Sequence, residues 1–174
     1  RPHDTLHYLT GMPYDTIQEV IGVAGDNPGT LEEHLINFSY TPLLDNGKVD
    51  YKRAKEDLQK DSSIKMVAIQ RSRGYSSRDS FVVSEIAEMI KFVKKYAPQA
   101  IIFIDNCYGE FTETEEPTFY GADLMAGSLY KNAGGGIAKT GAFLVGNKDL
   151  IDRCGARLIV PGAGKNEGAT YPFM

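Results

Sequence analysis

Two apolar runs, Ile64 to Gln70 and Ala100 to Ile104, flank a segment whose apolar residues Ile86, Met89, Ile90 and Val93 recur at i, i+3, i+4 and i+7. That spacing lays one stripe along an α-helix over Ser84 to Tyr96, and Pro98 stops it. Strands joined by a helical crossover run parallel, and the crossover is right-handed. The Ala100–Ile104 run is apolar on both faces, which places it centrally in such a sheet. This unit commits the chain to an α/β fold: a mostly parallel sheet with helices on both faces.

The rest of the sequence continues the alternation. Leu6 to Thr10 reads as a strand, broken by Gly11-Met12-Pro13. Asp15 or Thr16 is expected to cap a short helix through Ile17, Val20 and Ile21. Leu35 to Leu44 reads as a second strand, Asp45-Asn46-Gly47 as a turn, and Asp50 to Lys60 as a charged surface helix. Leu124 to Leu129 and Thr140 to Val145 are further strands, and a final helix begins near Asp149. No internal repeat, low-complexity segment or linker interrupts the pattern, so the chain reads as a single domain over residues 1–174.

Composition narrows the partners. Lys and Arg number 19 against 23 Asp and Glu, a net charge of −4, which argues against a nucleic-acid backbone as ligand. The apolar content of 42% is enough for a core. No apolar run approaches the ~18 residues that span a bilayer, so no membrane partner is expected. Cys107 and Cys154 have no CxxC spacing. A disulfide framework and a metal site are therefore unsupported, and a reducing, cytoplasmic setting is the default. The chain opens on Arg1 and closes on Tyr171-Pro172-Phe173-Met174, directly after a Gly-rich stretch, and is expected to be part of a longer protein.

In open parallel sheets ligands sit beyond the carboxyl ends of the strands. The residues there are Arg71 to Arg78, Asp105 to Glu110, and Tyr130 to Gly136. An Asp that ends an apolar strand needs a partner, so Asp105 reads as a turn residue or as the counter-ion of a buried cation. Lys131, between a strand and three glycines, reads as an amine whose pKa burial would depress. Ser128 stands three residues before it with a hydroxyl suited to a phosphate, and the glycines would let backbone approach a ligand. Arg71, Arg73 and Arg78 read as a carboxylate or phosphate fork or, slightly favoured, as a solvated turn. Glu110, Glu113, Glu115, Glu116 and Asp123 read as a solvated acidic loop, and Cys107 as a small apolar filler.

An apolar strand ending in Asp105-Asn106, followed by Ser128-Leu129-Tyr130-Lys131 and glycines, resembles the fold-type I enzymes that use pyridoxal phosphate. Ile104 to Phe111 and Gly121 to Gly136 are similar, more narrowly, to the aluminium-resistance protein family. Its members are named as cystathionine beta-lyases or methionine gamma-lyases of Cys/Met metabolism. Gln70 to Tyr75 and Pro161 to Lys165 share that likeness. The resemblance implies that Asp105 pairs with the pyridine nitrogen, that Lys131 forms the Schiff base, and that Ser128 helps hold the phosphate. Tyr130 replaces the Thr found before this lysine in related enzymes. The resemblance also implies that the chain is most of the large cofactor-binding domain, lacking its first strand and the C-terminal small domain. The Thr140–Val145 strand would then show an unpaired edge.

The activity implied is cleavage of a carbon–sulfur bond in a cystathionine- or methionine-like amino acid, in a homodimer or homotetramer with Pro161 to Gly168 as an interface loop. A transaminase, racemase or aldolase would need the same Lys131 and Asp105. Read without the resemblance, the glycines and arginines also suit a phosphate- or nucleotide-binding module without covalent catalysis, and an inactive structural piece is a third reading.

Overall fold

A computed structural model describes residues 1–132 and 134–158 of the chain. The expected interface loop Pro161–Gly168 and the similar segment Pro161–Lys165 lie outside the described residues, as does Ala133. Six strands, β1 (Thr5–Tyr8), β2 (Asn37–Tyr40), β3 (Ile64–Gln70), β4 (Ile101–Asp105), β5 (Leu124–Ser128) and β6 (Ala142–Gly146), form one sheet in the order β2-β1-β3-β4-β5-β6. All neighbours are parallel except β5 and β6. β4 is interior, as its two apolar faces require, and Ile102 and Ile104 are fully buried. β2 and β6 close the two ends of the sheet.

The helices are α1 (Asp15–Ile21), α2 (Tyr51–Lys60), α3 (Val83–Tyr96) and α4 (Lys148–Leu158). The chain steps from β1 outward to β2, then back past β1 to β3. With right-handed crossovers this reversal places α1 on one face of the sheet and α2 and α3 on the other. Two separate clusters record the division. Ile21 of α1 packs with Tyr8 and Ala68. Ala54 and Leu58 of α2 join Ile86, Met89, Ile90 and Val93 of α3 against Leu9, Val67 and Ile69. The reversal leaves a crevice at the carboxyl ends of β1 and β3, where open α/β sheets bind ligands.

Several expected boundaries move. β2 is four residues long, because Leu35 takes a left-handed φ of 59° before it and Pro42 has no N–H to continue the ladder. Neither Asp15 nor Thr16 caps α1; its N-cap is Tyr14, and the Asp15 carboxylate accepts the Thr16 amide. Asp50 caps α2 by accepting from the Arg53 amide.

A buried polar chain crosses the outer strands on the α2 face. The Thr41 hydroxyl donates to Asp57 Oδ2 at 2.9 Å, so His7 Nε2 donates to Thr41 Oγ1 at 3.1 Å and His7 Nδ1 accepts from Ser39 Oγ at 2.8 Å. His7 is 1% exposed, and burial lowers its pKa against the smaller opposing pull of Asp57 and Asp61. A histidine depressed in the folded state leaves the unfolded chain binding more protons. Its contribution to stability is complete above the ordinary value of 6.5 and declines as pH falls below it toward the folded value. We expect the urea midpoint to fall between about pH 7.5 and 5.5, with a visibly smaller fall in His7→Gln. Equal slopes in the two proteins would refute this. Asp61, held below the usual carboxylate range by its Ser63 hydroxyl against the opposing effect of burial, acts only at lower pH.

Candidate active site

The carboxyl edge of the sheet gathers residues from four loops. β1 is followed by Tyr14, β3 by Ser72, Gly74 and Tyr75, β4 by Cys107 and Tyr108, and β5 by Lys131. Together these line a cavity of about 180 Å³. Asp105, 9% exposed, ends β4 in register with Gln70 of β3 and Ala126 of β5. Parallel strands thus put Asp105 and Lys131 at the same edge, as the sequence predicts.

The turn after Asp105 is tightly held. Asp105 Oδ1 accepts the Cys107 amide at 3.1 Å, and Tyr108 adopts a left-handed φ of 68° that swings its ring into the cavity wall. Non-glycine residues held in this conformation concentrate at functional sites. Lys131 Nζ stands 4.6 Å from the centroid of the Tyr108 ring and 5.8 Å from that of Tyr130, within cation–π range.

The expected depression of the Lys131 pKa does not occur. Burial alone would lower it, but Cys107, Tyr108, Tyr130 and Asp105 together carry it above the ordinary lysine value. Burial, reinforced by Asp105, pushes the Cys107 thiol up to about 12 and the Tyr14 phenol up to about 12. Cys107 is therefore a protonated, half-buried wall residue of this cavity and not core filler.

Ser128 is buried at the end of β5, and its amide donates to Glu110 Oε1 at 2.8 Å. Among the described residues its hydroxyl has no hydrogen-bond partner, nor has Glu110 Oε2. Buried polar groups are normally satisfied, so an orphaned hydroxyl three residues before Lys131 marks a place where a polar ligand atom belongs. The glycines after Lys131 serve a different end from the one expected. A Cβ on Gly134 would overlap the Leu129 carbonyl, and one on Gly135 the Lys131 carbonyl. They let the turn fold back on its own backbone, which fixes where Lys131 leaves the strand.

The acidic loop is solvated only in part: Glu113 and Glu115 are exposed, Glu116 and Asp123 half-buried and Glu110 buried, and Arg71 is not in a solvent-exposed turn. Arg71 is 3% exposed, and its five N–H groups meet Phe81 O, Asn106 Oδ1, Gly109 O, Thr112 Oγ1 and Glu113 Oε1. Glu116 lies 3.7 Å from it and holds the Asn106 amide and the Phe111 backbone amide. Glu110 is 4% exposed. Arg78 is half-buried and Arg73 is exposed, both beside the neighbouring crevice. Tyr14 went unnoticed in the sequence, although the position after β1 obeys the same carboxyl-edge rule that singles out Asp105 and Lys131.

A family model described as methionine gamma-lyase matches residues 1–174. An uncharacterized 33.9 kDa protein of Lactobacillus delbrueckii subsp. bulgaricus, from the glnA 5′ region, is 55% identical over 163 residues, 94% of this chain and 53% of that one. A solved structure from Listeria monocytogenes, named for a proposed cystathionine beta-lyase role in aluminium resistance, is 50% identical. Its TM-score is 0.91, over 97% of this chain and 41% of that one. At the level of fold alone, a PLP-dependent aminotransferase from Streptococcus suis matches with a TM-score of 0.62 at 16% identity, over 94% of this chain and 41% of that one. The chain spans about half the length, or less, of the curated relatives it matches.

Proposed function

The chain belongs to the methionine gamma-lyase family, and from that premise we propose that it is the cofactor-bearing part of a pyridoxal-phosphate-dependent lyase that cleaves a carbon–sulfur bond in a cystathionine- or methionine-like amino acid. The observation that carries the reading is the gathering, at the carboxyl edge of neighbouring parallel strands, of the buried Asp105 carboxylate, the Lys131 amine and a Ser128 hydroxyl that has no partner among the described residues. These three groups fit the cofactor: a carboxylate for a ring N–H, an amine for an aldehyde, and a hydroxyl for a phosphate oxygen.

When bound, pyridoxal phosphate supplies an electrophilic aldehyde and a ring that accepts electrons from the substrate Cα. Asp105 would keep the proton on the ring nitrogen. Lys131 has no hydrogen bond or ion pair among the described residues, which leaves its Nζ free to anchor the cofactor and then to move the proton at the substrate Cα. Ser128 has only its hydroxyl to offer the phosphate, since Glu110 already takes its amide. Tyr14 and Tyr108 form walls of the cavity. A small amino-acid substrate and a homo-oligomeric assembly belong to the same proposal.

The test is made on the full-length protein incubated with pyridoxal phosphate and reduced with borohydride. Peptide mass should place one pyridoxyl group on Lys131, and amino-acid thioethers should release thiol and ketoacid. A pyridoxyl group on no lysine of this chain, or its presence without release of any thiol, would overturn the respective half of the reading.

A further inference from the structure

Of the acids between Asn106 and Tyr130, Glu110 is the one the fold buries, and its contacts run to both sides of Lys131. We propose that Glu110 is a positioning residue of the cofactor site: reaching from the turn after β4 to the end of β5, it sets the Ser128 hydroxyl and the Lys131 amine at the spacing that one rigid cofactor needs. The inference rests on the pyridoxal-phosphate reading and adds to it a residue that acts through Ser128 and Lys131 without touching the cofactor.

The end of the β4–β5 ladder is the first argument. Asp105 pairs with Ala126, and the Asn106 amide donates to the Ala126 carbonyl at 2.9 Å. Beyond that point β4 gives way to the turn at Tyr108. Successive amides of a strand point to alternate neighbours, and the Leu129 amide donates to Gly141 O, just before β6. The Ser128 amide therefore faces the side that β4 has left. Glu110 Oε1 accepts it there at 2.8 Å, in place of a strand carbonyl. The Glu110 carbonyl accepts the Asn132 side-chain amide at 3.1 Å. One residue thus grips the chain at Ser128 and at Asn132, with Lys131 between them. Asp105 stands at the root of the same turn, so the clasp also ties the partner of the ring nitrogen to the partners of the phosphate and the aldehyde.

Cost is the second argument. Glu110 is 4% exposed, and among the described residues it makes no ion pair and its Oε2 has no hydrogen-bond partner. Burying a carboxylate in that state is unfavourable, by more than one amide contact returns. The neighbouring strand is nevertheless shaped to admit it. A Cβ on Gly127 would stand 2.7 Å from Glu110 Oε1, so glycine there leaves the carboxylate its place. A water could satisfy the Ser128 amide as well. Only a group rooted in the β4 turn ties the two loops together, which is the support that a preorganised site requires.

The test is equilibrium dialysis of the full-length protein against pyridoxal phosphate and against phosphate-free pyridoxal, with borohydride trapping to report attachment at Lys131. The ratio of the first affinity to the second reads the phosphate contact, and a general loosening of the structure leaves it unchanged. Ser128→Ala should lower the ratio by about tenfold or more. Glu110→Ala and Glu110→Gln both remove the charge, but only glutamine keeps an oxygen for the Ser128 amide. The ratio in Glu110→Ala should therefore lie about tenfold below that in Glu110→Gln, and the two should coincide once Ser128→Ala is added. Equal ratios in Glu110→Ala and Glu110→Gln, or a difference that persists beside Ser128→Ala, overturn the inference. Where the alanine variant does not fold, Glu110→Asp is compared with the wild type. It keeps the charge and loses the reach, so the ratio should fall, and an unchanged ratio overturns the inference. A wild type that traps no cofactor on Lys131, or a ratio that Ser128→Ala leaves unmoved, overturns the cofactor reading of these residues and this inference with it. Cofactor trapped on Lys131 without cleavage of any thioether removes only the lyase activity, and the ratio still decides on Glu110.

Discussion

Replacing Lys131 by alanine is expected to abolish turnover, by at least about a thousandfold, and to leave pyridoxal phosphate held only by non-covalent contacts. The reason lies in the surroundings of the amine. Nζ faces the Tyr108 ring at 4.6 Å, and among the described residues no other lysine lines its cavity. Nothing there can replace either the covalent anchor or the base. Lys131→Arg should fail as well, because a guanidinium stays protonated and cannot attack an aldehyde. Lys139→Ala is the control. Lys139 is exposed beyond the glycine turn, and its loss should leave borohydride labelling intact. Asp105→Asn should keep the label while slowing turnover by about two orders of magnitude or more, since a neutral amide cannot hold a ring nitrogen protonated. Dialysis, borohydride labelling and peptide mass report on the anchor independently of activity. A label retained at its wild-type position in Lys131→Ala, or lost in Lys139→Ala, would show that another lysine is the anchor.

What the sequence made legible divides by range. The Ile64–Gln70 strand and the helix ending at Tyr96 were readable because each is decided by neighbours within a few residues, through a continuous apolar run or a repeating stripe. Asp105 and Lys131 were readable because parallel strands aim successive post-strand residues at one edge. The role of Arg71 was not. Its carboxylate partner Glu113 is 42 residues away, and nothing local distinguishes that glutamate from the exposed Glu115. Charge runs count as solvated faces until the fold brings a cation to them. The Lys131 environment was hidden for a related reason. Burial was predicted with the right sign, but the opposing pull comes from Cys107, Tyr108, Tyr130 and Asp105, and the first two are placed by the left-handed turn at Tyr108.

Arg71→Met is expected to cost about 2–4 kcal/mol of stability, because it leaves buried acceptors without their donors. The side chain is nearly inaccessible, and all five of its N–H groups are used. Methionine would fill much of the volume but take their Arg71 donors from the Phe81 carbonyl and the Asn106 amide oxygen, and one donor each from the Gly109 carbonyl and Glu113 Oε1, which keep others. The backbone is built around the guanidinium. A Cβ on Gly109 would come within 2.5 Å of Arg71 Cδ and Nη1, so the chain approaches as closely as glycine allows. Glu113 Oε1 also accepts the Val83 amide at 2.9 Å, so the same network secures the start of α3. Arg71→Lys should recover only part of the loss, because three donors on a tetrahedral ammonium cannot reproduce the planar fork. Glu113→Gln should lose about 1 kcal/mol or less. Glu113 is 36% exposed, and an amide oxygen can still accept from both Arg71 and Val83. The loop that Arg71 fastens carries Cys107 and Tyr108, two walls of the Lys131 cavity, so Arg71→Met should also weaken cofactor retention without touching the cofactor. Urea unfolding of the full-length protein, read beside the fraction of pyridoxal phosphate surviving dialysis, separates these effects. A stability loss below about 1 kcal/mol in Arg71→Met would show that the loop is held by its own turns instead.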